Sequence, residues 1–233
     1  MRLNRFYLEN FSRLNILELK YEPLVHQIKN VLRMKVGEQV SFFCNFSEAI
    51  YEIKKIDKAV ISLSLIKDVA VKKNNREIIL FPAVIKKDKL EWVVQKAVEL
   101  GVTKIIPVIS ARSEKKDINL NRLNKISIEA SEQCGRQDLV EIYQPIKFKD
   151  ALKQVKGWSF LANFDGDNFI DCLKLIKKDK TKPINIFIGP EGGFVEVEIE
   201  LAKKNNIKII SFGDNILRSE TAALVGLTLI TNF

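Results

Sequence analysis

The segment whose residue types point most directly to chemistry reads Ile-Gly-Pro-Glu-Gly-Gly-Phe, from Ile188 to Phe194. It follows the apolar run Ile184–Ile188, which has the length of a buried strand. Glycines let the backbone approach a ligand closely, and Pro190 stiffens the loop. The spacing matches neither a Walker A loop nor a Gly-x-Gly-x-x-Gly dinucleotide loop. Two interpretations stay open, a ligand-binding loop and a plain tight turn.

A second glycine-bearing loop lies between Ser211 and Ala223, again between an apolar run and a predicted helix. Ser219 is predicted to cap this helix, and Glu220 in the first turn suits the helix dipole, a structural role that competes with a catalytic one. Arg218 has no such explanation, because a cation at a helix N-terminus adds to the positive potential there. We therefore predict an anion near Arg218, either an RNA phosphate or a ligand carboxylate.

Two further candidates have simple structural explanations. Arg136 ends the segment Glu129–Arg136, where a cation near a helix C-terminus compensates the dipole. His26 is the only histidine, and a single histidine is more often a surface or packed residue than a general base.

Composition narrows the class of protein. The formal net charge of +9 favours a polyanionic partner such as RNA, although scattered surface lysines would give the same total. Cys44, Cys134 and Cys172 are far apart and odd in number, which predicts neither a disulfide framework nor a metal site. The sequence has no signal peptide and no apolar run of membrane-spanning length, so we expect a cytoplasmic protein that is not bound to membranes.

The first 72 residues have the pattern of short strands separated by turns, with one helical segment over Pro23–Met34. This pattern predicts a small β-barrel. The predicted strands are Leu3–Leu8, Gln39–Cys44, Ala49–Ile56 and Val60–Ile66.

The polar stretch 71–76 is interpreted as a linker, which predicts domains over residues 1–72 and 73–233. In the second domain strands alternate with helices, the pattern of a mostly parallel α/β sheet whose ligands bind at the carboxyl ends of the strands. The predicted strands are Ile78–Val84, Ile105–Ile109, Ser159–Ala162, Ile184–Ile188 and Lys208–Phe212, and two of the predicted helices are Asp88–Leu100 and Leu120–Cys134.

Five blocks in this order resemble the ribosomal RNA small subunit methyltransferase E family of the SPOUT superfamily. The resemblance spans nearly the whole chain, and the fourth and fifth blocks are its most specific part. The blocks are His26–Arg33 with Gly37, Gln95–Val102 leading to Pro107, Glu132–Arg136, Gly189–Gly193 and Ile216–Ala222.

The resemblance implies a PUA-like β-barrel followed by a SPOUT domain whose C-terminal part forms a trefoil knot, usually as a homodimer. It also implies S-adenosylmethionine as cofactor, without a metal ion, and 16S rRNA of the small ribosomal subunit as partner. The implied reaction is methylation of ring nitrogen N3 of a specific uridine.

The same resemblance assigns residues to roles. Arg218 would position the uridine or stabilise its anion, and Glu220 is the second catalytic candidate, as proton acceptor. Cofactor contacts would come from Gly189, Glu191, Gly192, Gly193, Gly213, Ile216, Leu217, Thr221 and Ala222. RNA contacts would come from Arg2, Arg5, His26, Arg33, Lys86, Arg112 and Arg136, the last of these across the dimer.

Two departures and two alternatives accompany this assignment. The strand end 161–165 lacks the histidine or glutamate that the family leads us to expect, and the chain ends early, at Phe233. A SPOUT ribose 2′-O RNA methyltransferase would share the glycine loops. A non-enzymatic RNA-binding assembly factor would keep the barrel and bind no cofactor.

Overall fold

The structure is a computed structural model that describes residues 3–71, 76–176, 179 and 181–232. The chain divides into two compact units. The first contains residues 3–71 together with Ser131–Leu139, and the second contains residues 76–130 and 140–232. The predicted linker falls largely on 72–75, outside the described residues.

The segment Ser131–Leu139 differs from the prediction, which placed it in the second domain. Its backbone is bonded to the first unit: the Arg5 guanidinium donates to the carbonyl oxygens of Ser131, Glu132 and Arg136 at 2.9 to 3.2 Å. Such a contact between distant parts of the chain leaves no periodic signal in the sequence.

The first unit is built on a five-stranded sheet with the strand order β1-β3-β4-β5-β2. The pair β1 and β3 is parallel, and the other pairs are antiparallel. Its interior is aromatic, with Phe6, Phe42 and Tyr51 almost fully buried. The strands are β1 (Asn4–Tyr7), β2 (Ile16–Leu19), β3 (Gln39–Cys44), β4 (Ser47–Ile56) and β5 (Ile61–Asp68).

Two features of this unit differ from the prediction. Strand β2 was not predicted because it is a short edge strand whose Ile16 is exposed, so its apolar pattern is weak. The predicted helix over Pro23–Met34 is shorter: α1 covers Glu22–His26 and continues as a π-helical turn over Gln27–Val31.

The second unit contains a six-stranded sheet with the order β13-β11-β12-β6-β7-β9, and every pair in it is parallel. The predicted α/β class with a mostly parallel sheet is confirmed. The strands after β5 are β6 (Ile78–Pro82), β7 (Lys104–Ile105), β8 (Val108–Ile109), β9 (Glu141–Ile142), β10 (Ile146–Lys147), β11 (Trp158–Asn168), β12 (Ile184–Ile188) and β13 (Lys208–Ser211). The helices after α1 are α2 (Lys87–Glu99), α3 (Leu120–Cys134), α4 (Phe148–Ala151), α5 (Phe169–Ile176), α6 (Glu196–Lys204) and α7 (Ser219–Thr231).

One predicted strand, Ile105–Ile109, is two strands that belong to different sheets. Strand β7 lies in the six-stranded sheet, whereas β8 pairs with β10. Pro107 stands between them, and proline has no N–H for a central ladder.

Alternate side chains of β6 and β12 enter separate apolar cores on the two faces of the sheet. Leu80 and Ile186 belong to one core, and Phe81 and Phe187 to the other, where their rings stack at 4.3 Å between centroids. Both central strands are therefore buried on both faces, as expected for parallel sheets. Among the described residues, no helix is both long enough and apolar enough to cross a membrane.

Strand β11 meets its neighbour β13 twice. It pairs first through Phe160–Ala162, and then, after a register shift, Asp167 pairs with Ile210, which already pairs with Ala162. Gly166 lies directly on the Ile210 backbone: a Cβ atom at Gly166 would stand 2.6 Å from both N and Cα of Ile210. The residues between the two pairings, 163–166, form an irregularity in the β11–β13 ladder, where they can form part of a site.

Candidate functional site

A cavity of about 290 Å³ lies in the second unit at the carboxyl ends of β11, β12 and β13. This is the edge where parallel α/β sheets bind ligands. Three backbone segments and the start of α7 form its walls. The lining residues are Ala162, Asn163, Phe164, Ile188, Gly189, Pro190, Glu191, Gly192, Gly193, Ser211, Phe212, Asn215, Ile216, Leu217, Ser219 and Ala222.

The loop after β12 forms one wall and is a tight turn. The Gly193 amide donates to the carbonyl oxygen of Pro190 at 2.8 Å, and Gly193 has φ +67°, a conformation that favours glycine. Arg112 lies over the loop: its guanidinium donates to the carbonyl oxygen of Gly192, and a Cβ atom at Gly192 would stand 3.1 Å from Arg112 Cδ. Backbone groups of the loop are thereby fixed at the cavity edge.

The start of α7 is joined directly to this loop. The buried hydroxyl of Ser219 donates to the carbonyl oxygen of Gly189 at 2.6 Å. The prediction that Ser219 caps the helix is wrong: the cap residue is Arg218, whose backbone is extended, and Ser219 is already helical. The Ser219 side chain therefore connects two walls of the cavity instead of accepting hydrogen bonds from the free N–H groups of its own helix.

Two large apolar side chains of the cavity are open to solvent. Ile216 is 82% exposed and Phe164 is 51% exposed, although both lie at a concave site beside a buried core. Apolar surface of this kind is expected where a ligand with a flat apolar part binds.

Charged residues cluster at the rim. Lys89 on α2 contacts Glu191 of the glycine loop, Nζ to Oε1 2.7 Å, and lies 3.8 Å from Glu220 Oε2 on α7. The hydrogen bond from Lys89 lowers the pKa of Glu191, and the same bond raises the pKa of Lys89. Glu220 Oε2 is buried and has no hydrogen bond to any residue that the structure describes. The Arg218 side chain is exposed and has neither a hydrogen bond nor an ion pair within the described part of the chain.

Most of the predicted cofactor residues line the cavity, but Gly213 and Thr221 do not. Gly213 has φ +121° and shapes the turn after β13, whereas Thr221 is exposed on α7. The sequence analysis assigned no role to Phe164 or Lys89. Phe164 could have been predicted, because it is an aromatic residue among polar neighbours at a strand end. The sequence has no pattern that would have placed Lys89 at the site.

Two of the predicted RNA-contacting arginines are engaged inside the first unit. Arg5 is ion-paired with the buried Glu48 at 2.8 Å and stacks over Phe43, in addition to its three carbonyl contacts. The Arg136 side chain is 7% exposed and ion-paired with Asp138 at 2.7 Å. Arg5 thereby holds Ser131–Leu139 in the first unit, whereas the Arg136 side chain pairs within that segment. Contact of these two arginines with RNA stays a prediction.

Of the other residues predicted to contact RNA, four are exposed to solvent and one lies outside the described residues. His26 and Arg33 are exposed in the first unit, and Lys86 and Arg112 are exposed in the second. Arg33 has φ +52°, which is uncommon for a residue with a side chain. Arg2 lies outside the described residues. No group of three or more metal-ligating side chains occurs within the described ranges.

Comparison with known proteins agrees with the resemblance read from the sequence blocks. A model of an RNA methyltransferase domain family matches residues 72–231. Ribosomal RNA small subunit methyltransferase E of Rickettsia conorii is 35% identical over 97% of this chain and 94% of its own.

Two solved structures are similar over the full length. The Neisseria gonorrhoeae ribosomal RNA small subunit methyltransferase E bound to S-adenosylmethionine has a TM-score of 0.88 and 27% identity, covering 99% of this chain and 98% of its own. A methyltransferase of Legionella pneumophila, also solved with that cofactor, has a TM-score of 0.86 and 27% identity, with coverages of 100% and 98%. The chain belongs to the ribosomal RNA small subunit methyltransferase E family.

Proposed function

We propose that this protein uses S-adenosylmethionine to methylate 16S rRNA of the small ribosomal subunit, at ring nitrogen N3 of one uridine. Membership of the family and the two relatives solved with the cofactor support the reaction class and the cofactor. The choice of N3 rests on the resemblance of the sequence blocks. An RNA substrate of this kind makes the cytoplasm the expected compartment.

The observation that carries the proposal is the glycine-walled cavity with exposed apolar side chains. Its volume, about 290 Å³, is close to the lower end of the range for small-molecule sites. Ile216 and Phe164 offer apolar surface for an adenine face, and backbone groups of residues 189–193 and 211–217 offer hydrogen bonds for its edge. The residues present therefore fit S-adenosylmethionine. When bound, the cofactor supplies a methyl group already activated on a sulfonium.

The remaining work of the protein is to place the uridine and to manage its proton. Arg218 stands between two cavity-lining residues, and its guanidinium, which has no partner among the described residues, is suited to hold the uracil and to stabilise negative charge as N3–H ionises. Glu220 is the proton acceptor in this proposal, since its buried Oε2 has no hydrogen bond within the same described ranges. N3 lies on the pairing edge, so the base must be unpaired or turned out before it reacts.

We also propose that the C-terminal part is threaded into a trefoil knot within a SPOUT domain over residues 73–233. Two contacts support this threading. Strand β11 pairs with Ile210 of β13 twice, on either side of a register shift, and the chain after β13 comes back to β12, where Ser219 bonds to Gly189.

The first unit is proposed to be a PUA-like β-barrel over residues 1–72 that grips RNA, with His26 and Arg33 as contacts. Its five strands around an aromatic interior and its exposed basic side chains support this role. Lys86 and Arg112 would contact RNA beside the cavity. A homodimer is proposed because α7 keeps the apolar residues Leu224, Val225 and Leu229 only partly buried.

The test is methylation of small subunits that lack their modifications, followed by mapping of reverse-transcriptase stops along 16S rRNA. A methyl group on N3 blocks pairing, so one new strong stop that requires S-adenosylmethionine is the expected result. Arg218→Ala should remove the stop. Arg122→Ala, which changes an arginine outside the cavity lining, should keep it.

Other results identify the alternatives. Incorporation of methyl groups without a stop on the pairing edge would replace the N3 proposal by ribose 2′-O methylation. Binding of RNA with no calorimetric signal for S-adenosylmethionine would replace it by a non-enzymatic assembly factor.

A further inference from the structure

Lys89 occupies an unfavourable place for a cation. It is the third residue of α2, in the first turn, where the helix dipole is positive. Its side chain is nevertheless 24% exposed and turned toward the cavity rim, where it meets two carboxylates. Its contacts with Glu191 and Glu220 therefore offset the unfavourable interaction of the Lys89 charge with the helix dipole.

These two carboxylates come from different walls of the site. Glu191 belongs to the glycine loop after β12, and Glu220 to the first turn of α7. Together with Lys89 and Arg218 they form a group of two cations and two anions. Arg218 lies near enough to Lys89 to oppose its charge, and this repulsion works against the rise in the pKa of Lys89.

Arg218 is the member of this group left without a partner among the described residues. A guanidinium forms bidentate pairs with carboxylates that are stronger than a lysine contact. Lys89 hydrogen-bonds to Glu191 at 2.7 Å, whereas Glu220 Oε2 lies 3.8 Å from its Nζ, so loss of the Lys89 ammonium releases mainly Glu191. Glu191 is therefore the carboxylate that would capture Arg218 if Lys89 did not hold it.

We propose that Lys89 is a positioning residue: by holding Glu191 it leaves the Arg218 guanidinium free for the nucleotide. The inference rests on the proposed function, in which Arg218 contacts the uridine. Lys89 itself does not touch the substrate in this account.

The experiment compares methyl transfer by Lys89→Met, Lys89→Arg and the double variant Lys89→Met with Glu191→Gln. The kcat of Lys89→Met should fall roughly tenfold while its calorimetric affinity for S-adenosylmethionine changes by less than about threefold. Lys89→Arg should keep most of the wild-type kcat. The double variant should recover most of the lost rate, because no carboxylate then competes for Arg218.

The matched control is Lys96→Met on the same helix. Lys96 is similarly exposed, at 30%, and is ion-paired at 2.8 Å with Glu99, which, unlike Glu191, does not line the cavity. Its variant should keep the wild-type kcat.

Three results would overturn the inference while the proposed function stands: a wild-type rate in Lys89→Met, a double variant as slow as Lys89→Met, or a loss confined to cofactor affinity. The second would mean that Lys89 acts on the substrate directly. If the wild-type protein itself places no methyl group on rRNA, the proposed function fails and this inference with it.

Discussion

Replacing Gly166 by alanine should open the contact between β11 and β13 and damage the cofactor site. A Cβ atom there would stand 2.6 Å from Ile210 N and Cα, and nearer still to its carbonyl carbon. Ordinary van der Waals contact begins at 3.4 Å, so the two segments would have to part by more than about 0.8 Å. A backbone hydrogen bond stretched by that amount is no longer a hydrogen bond.

The magnitude follows from two losses. Overpacking of this kind costs about 1–3 kcal/mol, and each lost ladder bond costs about 1 kcal/mol more. The pairings at risk are Asp167 with Ile210 and Asn168 with Ser211. We therefore expect Gly166→Ala to lower the free energy of unfolding by about 3–5 kcal/mol. Affinity for S-adenosylmethionine should fall at least tenfold, since Phe164 and Ser211 line the cavity on either side.

Urea unfolding followed by tryptophan fluorescence measures the stability, and calorimetry measures the affinity. Both tryptophans, Trp92 and Trp158, belong to the second unit, so the fluorescence reports on that unit. Asp165→Ala is the matched control, because it changes an exposed neighbour in the same segment. If Gly166→Ala matches this control in both measurements, the close approach of Gly166 to Ile210 is wrong.

Two further predictions concern the buried polar contacts. Burial alone would raise the pKa of Glu48, but hydrogen bonds from Arg5, Ser41 and Gln137 lower it below its ordinary 4.5. The stability that Glu48 contributes is therefore full above about pH 4.5 and is lost as the pH falls through its lowered pKa. Glu48→Gln should lower the free energy of unfolding by about 3 kcal/mol at pH 7, because it leaves the Arg5 charge buried and unpaired. It should also weaken the loss of stability at acid pH, measured by urea unfolding followed by circular dichroism. An unchanged loss of stability at acid pH would refute this. Ser219→Ala should weaken S-adenosylmethionine binding about fivefold, since the Gly189 carbonyl loses its 2.6 Å partner, whereas Thr228→Ala on the exposed face of the same helix should bind as the wild type does. Equal affinities of these two variants in calorimetry would show that the Ser219 contact does not shape the site.

Local patterns predicted much of the secondary structure. The predicted bounds are confirmed for two strands and one helix, because their apolar residues follow the expected pattern over the whole element. These are Gln39–Cys44, Ile184–Ile188 and Leu120–Cys134. Prediction failed where the pattern was short or interrupted, as at the edge strand Ile16–Leu19 and at Pro107. The second half of β11, residues 163–168, was not predicted. Its pairing follows a register shift, which interrupts the alternation of apolar and polar residues expected for a strand.

From the residues alone we could predict the α/β class of the second unit, the two glycine-bearing loops and, through the five blocks, the family. These properties depend on residue types and on spacing along the chain. Which charges meet depends on the tertiary fold: Lys89 pairs with Glu191 across 102 positions of the chain, and Arg5 pairs with Glu48 across 43. The physical reason is that an ion pair depends on separation in space, and contacts such as that of Ser219 in α7 with Gly189 after β12 set this separation without any local sequence pattern.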